Sequence, residues 1–295
     1  MTMLHKQLAR YAQQCRQLDT DRWQLALTNG HELSVSVRRD DGFLLLDADS
    51  GLSPEADRWI PLAECSAELP AAVKFALCRG GPTVRLRAEF PLPEEGVVED
   101  RIRGNLHGMQ IALDRLHELV SCETAGVSAA CPRAEDVGQA DPGSLVDLVK
   151  EAGWECHERT GGALLTDLET GGQFLQAELV SLGDGARFRV IVCRDEAAAE
   201  VVREALCLYL LGANAALRFA RGFFERNGGA ATAGFEVLLD GAPTPAEAGH
   251  ALSALSVACR HCAREMEVLK DAALAGLYRS ARGLPSHVKR SLTNG

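Results

Sequence analysis

The sequence has few aromatic residues, no long apolar run and no excess of positive charge, and each absence limits what the chain can be. Only 5% of the residues are aromatic although 46% are hydrophobic, so aliphatic side chains and alanine must fill any core. The formal net charge of −10 argues against nucleic acid as a partner, because phosphate binding needs clustered Lys and Arg. The most apolar stretch, residues 205–217, contains Asn214 and is too short to span a bilayer. We therefore expect neither a nucleic-acid nor a membrane partner.

Residues 1–15 lack the apolar core of a secretory signal, so we expect a cytoplasmic protein. The ten cysteines are scattered along the chain, and several lie in apolar segments such as residues 190–193. A disulfide scaffold would concentrate them in a short secreted chain. The pattern favours small buried thiols in a reducing compartment.

The main positive signal is a pattern of elements that occurs twice, at residues 3–121 and 143–270. Each pass begins with a short amphipathic helix, marked by Leu4, Leu8, Tyr11 and Cys15 in the first and by a candidate cap at Ser144 in the second. Three strand-like segments follow, separated by turn residues such as Asn29-Gly30. The strand segments are residues 23–27, 32–37 and 43–46 in the first pass, and 163–166, 173–180 and 187–192 in the second.

Each pass continues with a helical stretch, two strands and a long amphipathic helix. The predicted helices are residues 61–72 and 197–211, and the predicted strands are 73–78, 84–90, 216–224 and 234–239. The last long helix has a candidate N-cap at Thr244 and a proline at Pro245, which suits a first turn. Apolar residues three and four apart give both long helices one face that can pack on a sheet.

The sequence therefore predicts an α+β protein. We expect two tandem copies of a helix–three strands–helix–two strands–helix unit, with antiparallel sheets packed against helices. The predicted domains are residues 1–121 and 143–275, joined by a linker at 122–142 and followed by a basic tail at 276–295. A duplicated unit supplies a ready-made pseudo-dimer in one polypeptide.

No catalytic or metal-binding arrangement emerges from the motifs, and we predict no cofactor. Cys259 and Cys262 form a lone CxxC on the apolar stripe of the last helix, whereas structural zinc needs four ligands. Core packing is the favoured interpretation, with a metal or redox role as the alternative. His157 fits a polar strand edge, and the Asp47-x-Asp49 motif fits a turn. The glycine-rich stretch 228–234 lies between two predicted strands, which favours a hairpin over a phosphate-binding loop.

Phenylalanines are the candidate partner-binding residues. In the predicted strand 216–224, Phe219 and Phe223 share one face and Phe224 lies on the other. Phe90 ends the corresponding strand of the first pass. If Phe224 is exposed, these four residues suit a groove for a partner. Core packing is the alternative interpretation.

One segment gives the chain a family resemblance. Residues 84–100, VRLRAEFPLPEEGVVED, are similar to the strand, Pro-Leu-Pro turn and acidic helix start of the type III secretion chaperone-like fold, which includes the Tir chaperone and YbjN-type families. Residues 210–220 resemble the helix-to-strand passage of those bacterial families. The second pass departs from the pattern at residues 237–243, where the Pro-Leu-Pro turn is missing.

The resemblance implies a protein that is not an enzyme and that binds an extended polypeptide segment. The expected state is a monomer with an internal pseudo-dimer, or a homodimer, because proteins of this fold usually act as pairs. A regulatory protein of the YbjN type that senses a small ligand is the alternative, and it would need a closed pocket. An enzyme would need a cleft that gathers residues such as His157, Asp47 or Cys259.

Overall fold

The computed structural model describes residues 3–29, 31–70, 72–78, 83–92, 99–121, 142–159, 163–170, 173–182, 185–195, 198–227 and 230–282. All but the last residue of the predicted linker, and residues 283–295 of the predicted tail, lie outside the described residues. Below, the first half means residues 3–121 and the second half means residues 142–282.

The first half contains three helices and six strands in its described part. They are α1 (Met3–Arg10), β1 (Gln14–Asp19), β2 (Arg22–Asn29), β3 (His31–Asp40), β4 (Phe43–Asp49), α2 (Trp59–Glu68), β5 (Val73–Leu77), β6 (Val84–Pro91) and α3 (Glu99–Ser121). The strands form one antiparallel sheet in the order β1-β2-β3-β4-β6-β5.

The second half contains four helices and six strands in its described part. They are α4 (Pro142–Glu151), β7 (His157–Glu158), β8 (Leu164–Thr170), β9 (Gln173–Leu182), β10 (Gly185–Asp195), α5 (Glu200–Asn214), β11 (Arg221–Asn227), β12 (Ala230–Leu239), α6 (Pro245–Val268) and α7 (Ala272–Ala281). The sheet order is β7-β8-β9-β10-β12-β11, read from the opposite end of the sheet. With strands counted within each half, both sheets therefore have the order 1-2-3-4-6-5.

Each sheet has a core face that packs on the long helix of its own half. Leu33, Val35 and Val37 of β3 are buried, whereas Ser34 and Ser36 between them are exposed, as the alternation predicts. In the second half α6 packs on β8, β10 and β12. Its predicted stripe is buried: Leu252, Leu255, Cys259, Cys262, Met266 and Leu269. The α+β class with antiparallel sheets is confirmed.

The beginning of α6 confirms the predicted cap. The Oγ1 atom of Thr244 accepts a hydrogen bond from the backbone N–H of Glu247, and the Glu247 carboxylate accepts one from the backbone N–H of Thr244. Pro245 lies in the first turn, where its missing N–H is not needed.

Four elements differ from the predictions. The first helix ends at Arg10, and the segment predicted to continue it forms β1, so the meander has four strands rather than three. The corresponding fourth strand of the second half is the two-residue β7. The boundary predicted at residue 275 between the second domain and its basic tail falls inside α7, whose Asp271 cap accepts hydrogen bonds from the N–H groups of Ala273 and Leu274. In the second half α4 begins at Pro142, two residues before the predicted cap.

None of the helices in the described residues is both long enough and apolar enough to cross a membrane.

Candidate functional site

The four phenylalanines that the sequence analysis selected are all buried. Phe90 and Phe219 are 3% and 6% exposed, and Phe223 and Phe224 are 0% exposed. Phe219 does not lie in a strand, because β11 begins only at Arg221. It lies in the preceding loop with a φ of 61°, in the left-handed region that few side chains adopt. The condition for a groove at Phe224 is not met, and the structure does not present these side chains to a partner.

Two of these phenylalanines have contacts that explain their burial. Phe219 packs edge-on against Phe43 of the first half, with 5.9 Å between ring centroids. The guanidinium of Arg189 lies 4.1 Å from the centroid of the Phe223 ring, a cation–π distance. Phe219 therefore contributes to the contact between the halves, and Phe223 to the second sheet.

The two halves pack through equivalent elements. The central helix of the first half, α2, packs on β11 of the second half, and the central helix of the second half, α5, packs on β5 of the first. The two helices also pack against each other. A contact in which the same elements appear on both sides is the isologous geometry of a twofold dimer. We call this contact the junction.

A buried lysine crosses the junction. The Nζ atom of Lys74 in β5 donates to the backbone oxygens of Leu217 at 2.7 Å and Ala220 at 2.9 Å, in the loop between α5 and β11. It also lies 3.4 Å from Oε2 of Glu89, which accepts a hydrogen bond from the N–H of Phe219 at 2.8 Å. The Lys74 and Glu89 side chains are each 1% exposed. Burial lowers the pKa of Lys74, against the opposing effect of Glu89.

A buried arginine crosses in the other direction. The guanidinium of Arg221 in β11 donates to backbone oxygens from the end of α2 to the start of β5, at Ala67 (2.8 Å), Leu69 (2.7 Å) and Val73 (3.1 Å). Its Nε atom donates to Glu236 of β12 at 2.9 Å, and Arg189 donates to the same carboxylate at 2.6 Å. Burial alone would raise the pKa of Glu236, but Arg221 and Arg189 outweigh it and hold the pKa below its usual value.

Asn214, at the end of α5, joins an edge strand of each sheet. Its Nδ2 atom donates to the backbone oxygen of Phe75 in β5 at 2.8 Å, and its Oδ1 atom accepts from the N–H of Gly222 in β11 at 2.6 Å. On the first sheet, Ser66 of α2 accepts from the N–H of Phe75 at 3.1 Å. Side chains of the central helices thus satisfy backbone groups of β5 and β11 that edge strands leave unpaired.

Exposed ion pairs surround this buried centre. Arg218 pairs with Asp40 at 2.6 Å, and Arg226 pairs with Glu64 at 2.7 Å between Nη2 and Oε2. Both pairs join the two halves. Exposed pairs contribute little energy individually, so the buried groups should dominate the stability of the junction.

Away from the junction, the second sheet has an open outer face. An open concavity of about 490 Å³ lies over β8, β9 and β10. Its apolar lining comes from Leu165, Phe174, Leu175 and Ile191, and its charged lining from the acidic Asp167 and Glu178 and the basic Arg159 and Arg189. Phe174 is 75% exposed, more than any other large hydrophobic residue described. The sequence patterns did not indicate Phe174. The selected phenylalanines lie in β6, in β11 and in the loop before β11.

The titratable motifs of the sequence are accounted for by structural roles. Cys259 and Cys262 are 1% and 6% exposed, and burial raises the pKa of Cys259 to about 12, which keeps the thiol protonated and unreactive. Asp47 lies within β4 and accepts a hydrogen bond from Arg85 at 2.9 Å. Asp49 accepts one from the N–H of Gly51 at 2.9 Å, as a turn residue would. Within the described part of the chain, no three His, Cys, Asp or Glu side chains are grouped to hold a metal.

Comparison with known proteins returned no match to a protein-family model, to a curated protein or to a solved structure. The contacts in this molecule are therefore the basis for any functional interpretation.

Proposed function

We propose that this chain is a non-enzymatic protein-binding module, made of two tandem copies of one unit that form an intramolecular pseudo-dimer. The reciprocal packing at the junction carries the proposal. Each unit contributes its central helix to the sheet of the other, and each sends a buried cation, Lys74 or Arg221, to backbone oxygens of the other. Random contact between unrelated domains would not be expected to use equivalent elements on both sides.

The junction also leaves a surface for a partner. The junction covers the β5 and β11 ends of the sheets, while the concavity over β8, β9 and β10 remains open. An apolar floor bordered by charged groups suits an extended polypeptide, which can bury alternate side chains and leave the others in water. The alternative of a ligand-sensing protein calls for an enclosed pocket, and this concavity is open.

The pseudo-dimer predicts that the halves associate even when the chain is cut. Residues 1–121 and 142–295, produced as separate polypeptides and mixed, should elute together in gel filtration. The substitution Arg221→Glu should prevent this, because it places a second carboxylate beside Glu236 and removes three donors to the first half. Halves that remain separate with the wild-type sequence would contradict the pseudo-dimer.

Protein binding is tested with one polypeptide in two states. Lysozyme that has been reduced and capped with iodoacetamide is an unfolded basic chain, and native lysozyme is a folded control of similar charge. We expect the full-length protein to bind the unfolded form in isothermal titration calorimetry and to show no binding of the native form. Equal binding of both forms would indicate charge attraction alone, and the proposal would then be withdrawn.

A further inference from the structure

The two sheets differ at the edges that lie away from the junction. In the first half β1 pairs with β2 from Gln14↔Ala26 to Asp19↔Arg22, and a register shift between Gln17 and Asp19 interrupts this edge. In the second half β7 pairs with only two residues of β8, Leu164 and Leu165. Along residues 166–169 of β8, the described chain supplies no strand partner on this side. Each sheet thus ends in an outer edge, and the edges differ: β1 has a register shift, whereas the open part of β8 is regular.

This edge has the geometry of a strand that can accept another. The register of β8 with β9 is continuous from Leu164 to Thr170, without the bulges that protect many edges. The backbone oxygen of Glu169 faces away from β9, because it accepts a 3.4 Å hydrogen bond from the hydroxyl of Ser256 in α6. The Glu169 carbonyl thus accepts one long hydrogen bond from a side chain. An added strand would offer it a backbone N–H as the donor.

We propose that residues 166–169 of β8 bind an extended, basic polypeptide segment as an additional antiparallel strand. The proposal rests on the protein-binding function proposed above and names its site and partner. Asp167 and Glu169 are exposed and point to the outer face of the sheet, so they would lie beside alternate side chains of the added strand. Lysine or arginine at those positions would complement them.

Charge also decides between possible occupants of the edge. A second copy of the chain, pairing antiparallel through its own β8, would place Asp167 and Glu169 close to the same carboxylates, and like charges across strands are destabilising. The edge at β1 has Arg16 as its central charge, which would repel a basic strand. A basic segment from another protein therefore fits β8 better than either a second copy at β8 or the same segment at β1.

Phe174 adds an apolar contact. It pairs directly with Glu169 and is 75% exposed on the same face of the sheet. Neighbouring strands lie about 4.8 Å apart, so a strand added to β8 would run roughly two strand spacings from β9. The Phe174 ring and the hydrocarbon part of a long lysine or arginine side chain can meet across that distance.

The experiment uses the full-length protein and three fluorescent peptides of about ten residues, the upper end of strand lengths in globular proteins. One alternates Lys and Val, one alternates Glu and Val, and one is the Lys/Val peptide with proline at every third position, which cannot form a strand. Fluorescence anisotropy should show one Lys/Val peptide bound per chain, at least about tenfold tighter than either other peptide. Hydrogen exchange should slow at residues 166–169 when this peptide is bound.

Two surface variants localise the site. The double variant Asp167→Lys/Glu169→Lys should weaken binding of the Lys/Val peptide about tenfold, because two attractions become repulsions. Glu32→Lys, at an exposed glutamate in the middle of the first sheet, should leave the affinity unchanged. Unchanged affinity in the double variant, or no protection at residues 166–169, would refute this site while leaving the protein-binding function intact. If neither the peptides nor unfolded lysozyme bind, both proposals fail.

Discussion

Replacing Arg221 tests whether the buried centre of the junction stabilises the whole chain. Arg221→Met keeps much of the side-chain volume but removes the charge and all donors. Three carbonyls of the first half, at Ala67, Leu69 and Val73, would lose their hydrogen bonds, and Glu236 would keep only Arg189. Breaking a buried ion pair by removing one partner typically costs about 3–5 kcal/mol of unfolding free energy. We expect a loss in that range.

The same strand provides a matched control. Arg226 also pairs across the junction, with Glu64, but its side chain is 48% exposed. The loss in Arg226→Ala should stay below about 1 kcal/mol, since water replaces an exposed ion pair. Urea unfolding followed by tryptophan fluorescence and circular dichroism compares the variants, with Trp23 and Trp59 reporting on the first half and Trp154 on the second.

The outcome distinguishes a tightly coupled junction from a loose one. If the junction is tight, Arg221→Met should destabilise both halves. The urea midpoints measured by tryptophan fluorescence and by circular dichroism should then both fall. If Arg221→Met and Arg226→Ala agree within about 0.5 kcal/mol, the ordinary range for surface changes, the buried centre does not stabilise the fold and the reasoning is wrong.

Three further predictions concern single buried groups. The lowered pKa of Glu236 contributes stability that is present above the ordinary glutamate pKa of about 4.3 and lost as pH falls below it, so the stability difference between wild type and Glu236→Gln should shrink from pH 7 to pH 3 in urea unfolding. Asn214→Ala should cost about 2–4 kcal/mol by the same assay, because it leaves a buried carbonyl and a buried N–H unpaired; a loss below 1 kcal/mol would contradict the bridging role. Gly234→Ala should lower the melting temperature in calorimetry, since its Cβ would collide with the Val190 oxygen, whereas Gly249→Ala, with its nearest neighbours at 3.8 Å, should not.

Local patterns predicted the elements that carry periodic or turn signals. The stripe on α6 and the cap at Thr244 appear as expected, because a helix on a sheet needs apolar residues three and four apart and a cap residue at its start. The segment of β1 misled the prediction because Leu8, Tyr11 and Cys15 also fit a helical spacing. Only pairing with β2, a contact with another segment, makes residues 14–19 a strand.

The junction could not be predicted from local patterns, although a signal was present. Lys74 lies in the otherwise apolar run Val-Lys-Phe-Ala-Leu, and every residue of β5 is buried. A charge in such a run has to meet polar groups somewhere, because burying it alone is costly. The sequence does not say that those groups are carbonyls almost 150 residues away. Likewise, Phe219 fits a strand by its spacing, and only the hydrogen bond from its N–H to Glu89 accounts for its place in a loop.

The presence of both halves in one chain has a consequence for the proposed binding. In a homodimer with twofold symmetry, every surface occurs twice, and an open edge on one subunit is also open on the other. Here the two outer edges differ. The first ends in β1, a strand of six residues, Gln14–Asp19, with a register shift, and the second has the regular strand β8 beyond the two-residue β7. Open edges invite aggregation, and a register shift makes an edge less suited to pairing, so the two edges do not offer a partner strand the same place. The acidic side chains of β8 act in the same direction, since they oppose pairing between copies of the chain and favour a basic segment. The shared strand order and the reciprocal junction account for the symmetry of the centre, and under the proposed function the difference between the edges favours β8 as the place for a partner strand.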